Sequence, residues 1–573
     1  MLIRRLQVAF VKKRDKRNVI RDQPVPRRRI HHESPADTIM THFKLTRRDF
    51  VHGIAGSCVG AVLPVSAIAQ RSGRGDHYAT GTEAGVTTTS LQASEAAIWA
   101  FEQGGNAADA YITAALTQTV SEPGLTSIGG AFGMHYFDAA SEETSVIAGL
   151  LGPAVAEPYD FERDSPATQT GRAMPVPGFI AGAFEAHRRH GRLDWVKLFQ
   201  PAIGHAIEGC LVIPELIAAA ERKGAKEAAA KAMWSRTGRF LTADEPLIQA
   251  QLGHVLSAVA QDGPEAFYTG EFARHYVERA QADGGRITLD DLRRWKTLVR
   301  SRELTVRGNY RGYQVASAPL LVYAMHLNEA LDLRGTGNAA TSPDSAFKQL
   351  RIMEEVFLST RTLSKENESD FVDPAYARQR ADVVLNSPRR EFNLDAIFNT
   401  CFLVVRDREG NCAWGTHSIN SPSPFGAGIM VDGVYASYAI NRGHVHGDGA
   451  TAPGITTCYA LFKDGTPRLI VGSPGYGFVH GPYQYGTGIM EWNLSPAEAM
   501  NSPRFSMPNA KGEIDCERHY GKMVLAMFNE KKFSHRVTGP TSATGLVGAF
   551  YSDNVAKLHF VQDGRRSGFA RAK

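Results

Sequence analysis

Three short stretches of the chain hold side chains whose types and spacing can do chemistry. The first begins at Thr400, which opens the β-branched and aromatic run Cys401-Phe402-Leu403-Val404-Val405. A strand start fixes a hydroxyl rigidly, but a Thr hydroxyl is a poor nucleophile at neutral pH and needs a base beside it. Taken alone, a Thr before an apolar run is most simply the start of a buried strand. Ser418 and Asn420 follow eighteen and twenty residues later. Between them and Thr400, Asp407-Arg408-Glu409-Gly410-Asn411 is turn chemistry, so Cys412 to Asn420 can return as a partner strand. Equal parity then puts Ser418 and Asn420 on one strand face; Asn420 could equally cap the turn before Ser421-Pro422. The second stretch, Gly472-Ser473-Pro474-Gly475, offers backbone N–H groups that can approach a developing oxyanion. The third is His444, His446 and Asp448. His-x-His can ligate zinc from one strand face, but no third His or Cys stands at metal-motif spacing, and a Gly-rich surface loop accounts for the cluster more simply. Neither a metal nor a cofactor is expected.

The elements that must position these residues change character along the chain. Leu91 to Glu102 has a helical period that stops at Gly104-Gly105-Asn106, and Ala107 to Val120 begins a second, Ala-rich helix ended by Glu122-Pro123. Gly129-Gly130-Ala131-Phe132-Gly133 reads as a loop feeding a buried strand at Met134 to Phe137. Residues 180–300 are mostly helical, and strand signals return from Asn309. The segment Ser342 to Ala396 is helical and highly charged, with Lys365 to Asp370 read as a solvated loop. Beyond Asn399 the chain is hairpin-rich, with further strands at Tyr459 to Phe462 and Arg468 to Val471 about an Asp464-Gly465 turn.

Composition bounds the class. With 573 residues, 43% hydrophobic and 21% charged, the chain can bury a large core and is neither disordered nor fibrous. Of the net charge of +5, residues 1–69 supply nine (fourteen Lys/Arg against five Asp/Glu), which leaves −4 for the remainder. No nucleic-acid partner is therefore expected from the global charge. Arg47-Arg48 precede a weakly apolar run, His52 to Ala69, that closes with Ala67-Ile68-Ala69. This is the layout of a bacterial twin-arginine export signal cut after Ala69. Met40 is then the expected start, with 1–39 a basic extension, 40–69 the signal, and a periplasmic or secreted product with no stable membrane insertion. Beyond Ala69, Cys210, Cys401, Cys412, Cys458 and Cys516 are odd in number and show no C-x-x-C pair. They imply no disulfide framework; a single unassigned disulfide stays open.

The segments, taken in order, resemble the γ-glutamyltransferase family of N-terminal nucleophile hydrolases. The matching pieces are Gly104-Gly105-Asn106-Ala107-Ala108-Asp109, Glu122-Pro123, Gly129-Gly130, Val176-Pro177-Gly178, Gly191-Arg192-Leu193 with Trp195, and Gln200-Pro201-Ala202. Gly182, Ala266-Phe267-Tyr268-Thr269-Gly270, Gly284-Gly285, Asp290-Asp291-Leu292, Thr400 to Gly428, Gly472-Ser473-Pro474-Gly475 and Asp563-Gly564-Arg565-Arg566 complete the set.

The resemblance implies an α+β fold, an αββα sandwich of two stacked mixed or antiparallel sheets between helical layers. It implies a chain that cuts itself at Asn399-Thr400 into a large subunit, 70–399, and a small catalytic subunit, 400–573, which stay together as a heterodimer. Thr400, freed at an N-terminus, becomes the nucleophile and brings its own α-amine, of pKa about 8, as base. Ser418 orients it, Asn420 binds the substrate's α-amino end, and Gly475 supplies the oxyanion donor. Tyr476 stands where a second Gly is common and would reshape the pocket. The implied activity cleaves a small-molecule amide or peptide through an acyl-enzyme and passes the acyl group, γ-glutamyl as in glutathione, to water or an amine. Departures concern the substrate: Ala148 to Pro153 lacks the Arg that grips a glutamyl carboxylate, and Gly454-Ile455 replaces paired serines. Asn441-Arg442-Gly443 resembles branches that are amidases or acylases, with Arg442 a carboxylate ligand or a rim residue. An acylase of a non-glutamyl amide and a catalytically inactive binding homologue are the alternatives.

Overall fold

The computed structural model describes residues 77–573 apart from 162–164, 305–306, 360–361, 364–366, 389–398, 422–423, 440–457, 475–479, 510, 542–543 and 554–556. The expected signal residues Arg47, Arg48 and Ala69 lie outside the described residues.

Two seven-stranded sheets carry the fold. In chain order the strands are β1 (Tyr78–Gly81), β2 (Gly85–Thr88), β3 (Ala131–Asp138), β4 (Glu143–Gly149), β5 (Val299–Glu303), β6 (Gly308–Tyr310) and β7 (Tyr313–Ala316), then β8 (Asn399–Arg406), β9 (Cys412–Ser421), β10 (Cys458–Lys463), β11 (Thr466–Gly472), β12 (Gly548–Ser552), β13 (Leu558–Gln562) and β14 (Phe569–Ala572). One sheet runs β1-β13-β12-β11-β10-β7-β6 and the other β14-β2-β8-β9-β3-β4-β5. Every neighbour pair in both is antiparallel. Both sheets therefore mix strands from before and after Asn399.

Period-two alternation decides what each face of β8 meets. Phe402 and Val404 join Trp414, Ile470, Phe550 and Phe560 between the sheets. Cys401, Leu403 and Val405 face the other way, into a core shared with Tyr111, Phe132 and Phe179. Burying side chains of this size contributes about 1.5–3 kcal/mol each, so β8 is clamped on both faces. The sheets meet so closely that a Cβ at Gly472 would stand 2.2 Å from the Phe402 ring, which only Gly allows.

Helices α1 (Leu91–Glu102), α2 (Ala107–Ser121) and α3 (Phe179–His190) cover the sheet that contains β8. Ser90 caps α1 by accepting from Ala93 N. Asn106 and Asp109 form a capping box at the start of α2, whose residues are buried on every side. The β8–β9 turn is tied to the same helix end: the Asp407 carboxylate accepts from Ala107 N at 3.0 Å and from Asn411 N at 3.0 Å. Helices α4 (Pro319–Ala330), α5 (Pro343–Ser359) and α6 (His480–Trp492) lie on the side of the other sheet. The result is the expected αββα layering, with both sheets wholly antiparallel rather than mixed.

One local expectation changes. Glu368–Phe371, which overlaps the end of the segment Lys365 to Asp370 read as a solvated loop, is a helical turn that buries Phe371. The five cysteines are all buried free thiols, so no disulfide joins them.

Candidate active site

The start of β8 is where sequence and geometry converge. Asn399 pairs with Ser421 and Cys401 with His417, with a register shift between the two pairs. Thr400 therefore faces an arc of three residues, Ser418, Ile419 and Asn420, rather than a single partner. Such a bulge bends one strand around the other and re-aims side chains. Within it the Thr400 Oγ1 hydroxyl donates to Ser418 Oγ at 3.1 Å, and both side chains are buried, at 6% and 3% exposure.

Asn420 closes the arc. Its backbone N–H donates to the same Ser418 Oγ at 2.8 Å, and its φ is +54°. This left-handed conformation is one Asn tolerates better than most residues, but it is not extended backbone. The expectation that equal parity alone puts Ser418 and Asn420 on one strand face therefore fails at Asn420.

Neighbouring segments hold the arc from outside. Ile419 N donates to Leu125 O at 3.1 Å, and the Ser437 hydroxyl donates to Ile419 O. Gly130 lies so close that a Cβ there would meet Ser418 O at 2.1 Å. The paired glycines of Gly129-Gly130 are thus needed for a close backbone approach.

On the opposite face of β8, beside Cys401, sits the carboxylate of Glu122, 2% exposed. Its Oε2 accepts from Thr89 Oγ1 at 2.5 Å, Gln118 Nε2 at 2.7 Å and Cys401 Sγ at 3.4 Å. Burial, reinforced by the Glu122 charge, pushes the Cys401 thiol well above its ordinary pKa, so this cysteine stays a neutral thiol beside Thr400. His417, one residue from Ser418, packs edge-on against Phe179 at 5.7 Å between ring centroids. Burial lowers its pKa to about 3, which keeps the ring neutral and unable to act as a base of ordinary strength.

Of the residues singled out from sequence, Thr400, Ser418 and Asn420 are brought together, and Asn399 lies in the strand immediately before Thr400. Gly475, Tyr476 and Arg442 lie outside the described residues, as do His444, His446 and Asp448. Among the described residues no group of three or more His, Cys, Asp or Glu is arranged to hold a metal. The stretch where a glutamyl-gripping Arg was sought is apolar and buried at Leu150 and Leu151. Sequence reasoning treated Glu122 as a helix stop and as part of the Glu122-Pro123 family match, without a place in the site; the signal was a lone acid at the end of a helix with no other charge past its first turn. Ser437 carried no sequence signal, because its partner is a backbone carbonyl supplied by the fold.

The profile of the family described as Gamma-glutamyltranspeptidase matches residues 93–437. The chain is 25% identical over 534 residues to the glutathione hydrolase proenzyme of Escherichia coli (strain K12), covering 83% of this chain and 90% of that one. It is 27% identical over 508 residues to the acylase ACY 1 proenzyme of Pseudomonas sp. (strain V22), covering 81% and 90%. Among solved structures, the cephalosporin acylase of Bacillus halodurans superposes with a TM-score of 0.68 at 21% identity, covering 87% of this chain and 97% of that one.

Proposed function

The chain belongs to the gamma-glutamyltranspeptidase family, and from that premise we propose that it is a self-cutting threonine amidohydrolase that severs its own Asn399–Thr400 bond and then works through Thr400. The observation that carries this reading is the buried Thr400–Ser418 hydroxyl pair at 3.1 Å at the clamped start of a central strand.

In the uncut chain, attack of Thr400 Oγ1 on the Asn399 carbonyl forms an ester as the Asn399–Thr400 C–N bond breaks. The hydroxyl proton ends on the released Thr400 nitrogen, and water then hydrolyses the ester. The freed α-amine, with an ordinary pKa of about 8, is thereafter the base for the hydroxyl beside it. Turnover repeats the step on a substrate amide: Oγ1 takes the acyl group, the leaving amine takes the proton, and water or a second amine removes the acyl group. Asn420 is assigned to the substrate's amino end and Gly475 to the oxyanion, both on the family resemblance. Fragments 70–399 and 400–573 form the working heterodimer, exported through the Arg47-Arg48 signal.

γ-Glutamyl transfer is the first reading of the substrate, on the likeness to a glutathione hydrolase. Acylase action on a non-glutamyl amide is favoured by the apolar, buried Leu150-Leu151 and by the likeness to an acylase.

Expression of the full chain and of Thr400→Ala tests the proposal. Native chain should yield two bands on a denaturing gel, the smaller beginning Thr400-Cys401-Phe402, and Thr400→Ala should stay whole and lose about a thousandfold or more in turnover. A whole native chain after long incubation, or a cut and active Thr400→Ala, would overturn it. γ-Glutamyl anilide with and without a dipeptide acceptor, set against simple acyl amides, separates the two substrate readings. Stimulation by acceptor marks the transferase.

A further inference from the structure

We propose that Ser437 is a positioning residue that sets the geometry of the reacting hydroxyl pair through a single peptide plane. The inference rests on the reading of Thr400 as the nucleophile and Ser418 as the hydroxyl that orients it.

The plane is the Ile419–Asn420 peptide. At one end its carbonyl oxygen accepts from the Ser437 hydroxyl; at the other its N–H donates to Ser418 Oγ at 2.8 Å. Two side-chain hydroxyls thus grip opposite ends of one amide. That amide leads into Asn420 at φ +54°, a left-handed conformation that interrupts the extended backbone of β9. Rotation of this plane is the cheapest way to relieve it, because only ψ of Ile419 and φ of Asn420 need change. Rotation would aim the N–H away from Ser418 and the carbonyl away from Ser437. Ser418 Oγ would lose its Asn420 partner, and the Thr400 hydroxyl, now at 3.1 Å, would face a less firmly held acceptor.

Ser437 is itself immobilised. It is fully buried, its N–H donates to Gly129 O at 3.3 Å, and two residues earlier Tyr435 O accepts from Ser127 Oγ at 2.7 Å. The loop around Gly129-Gly130 and the segment bearing Ser437 are therefore tied to each other beside β9. Donation to a carbonyl also polarises the amide and strengthens its N–H as a donor, so the Ser437 bond reinforces the Ser418 bond rather than merely coexisting with it.

The test uses timed cell-free synthesis of the full chain and reads the rate of cutting between Asn399 and Thr400 across pH. Ser437→Thr keeps the hydroxyl, and Ser437→Val has the same shape without it. Val should cut about five- to tenfold more slowly than Thr, the share expected for one hydrogen bond, with a displaced pH profile and matching thermal midpoints. Equal rates for Thr and Val, or a loss that follows the thermal midpoint alone, overturn the inference. Should Ser437→Val fail to fold, the smaller Ser437→Ala makes the same comparison with Ser437→Thr. Thr400→Ala, run in parallel, separates the two readings: if it is cut, both fall, and if it stays whole while Ser437→Val keeps pace with Ser437→Thr, only the Ser437 assignment falls.

Discussion

The backbone of Gly130 passes so near Ser418 that a first side-chain carbon would lie 2.1 Å from the Ser418 carbonyl oxygen. Gly130 also accepts, through its own carbonyl, from the N–H groups of Gly178 and Phe179, each at 2.9 Å, so it cannot retreat without breaking the start of α3. Gly130→Ala should accordingly displace β9 and cost about 1–3 kcal/mol, the usual range for overpacking. Cutting should slow more than the loss of stability alone predicts, because the displaced atom belongs to the residue that holds the Thr400 hydroxyl. Urea unfolding and a timed gel on the same preparation check both parts.

His417 makes the protein sensitive to acid. Its folded pKa is lowered by burial to about 3, against about 6.5 in an unfolded chain. Between those values the unfolded chain binds a proton that the folded chain refuses, so stability is intact above pH 6.5 and falls as the pH drops toward 3, by about 1.4 kcal/mol per pH unit. Burial lowers His135 and His205 to about 4 in the same direction. His417→Phe, suited to a site beside Phe179, should flatten the acid slope of urea midpoints measured at neutral and mildly acidic pH. An unchanged slope would count against a buried neutral ring.

Asp563 and Arg504 form a buried ion pair, each side chain 1% exposed. Burial works against the Asp563 carboxylate, but Arg504 and Arg565 outweigh it and hold its pKa below the usual range. Arg565 extends the network to Glu517 at 2.6 Å, which fixes the loop between β13 and β14. Asp563→Ala should cost about 3–5 kcal/mol by stranding the Arg504 charge, whereas pairing it with Arg504→Met should recover much of that loss. Equilibrium unfolding of the single and double variants decides it.

Much of this fold could be read from the chain because the signals were local. The caps at Ser90 and Asn106 mark α1 and α2, and the Asp464-Gly465 pair, with φ of +53° and +73°, makes the tight hairpin turn it spells. The Thr400–Ser418 approach follows from a hairpin whose turn, Asp407 to Asn411, was visible. Helix α6 was not, since Gly481, Gly486 and Gly488 with Pro482 argue against a helix; close contacts dictate them, as at Gly486 beside the Tyr459 hydroxyl. Asn420 was misjudged because a period-two rule assumes extended backbone. Glu122 and Ser437 owe their importance to partners 279 and 18 residues away, and no spacing rule connects such pairs.

The interleaving of strands from both sides of Asn399 has a mechanical consequence. A chain severed there would leave two polypeptides woven through one another, each supplying neighbours that the other's inner strands need. Neither could be withdrawn without tearing open rows of amide pairing in both sheets, and halves synthesised separately would expose raw edges prone to clumping. Scission here would thus free an amine while leaving the scaffold as tightly knit as before.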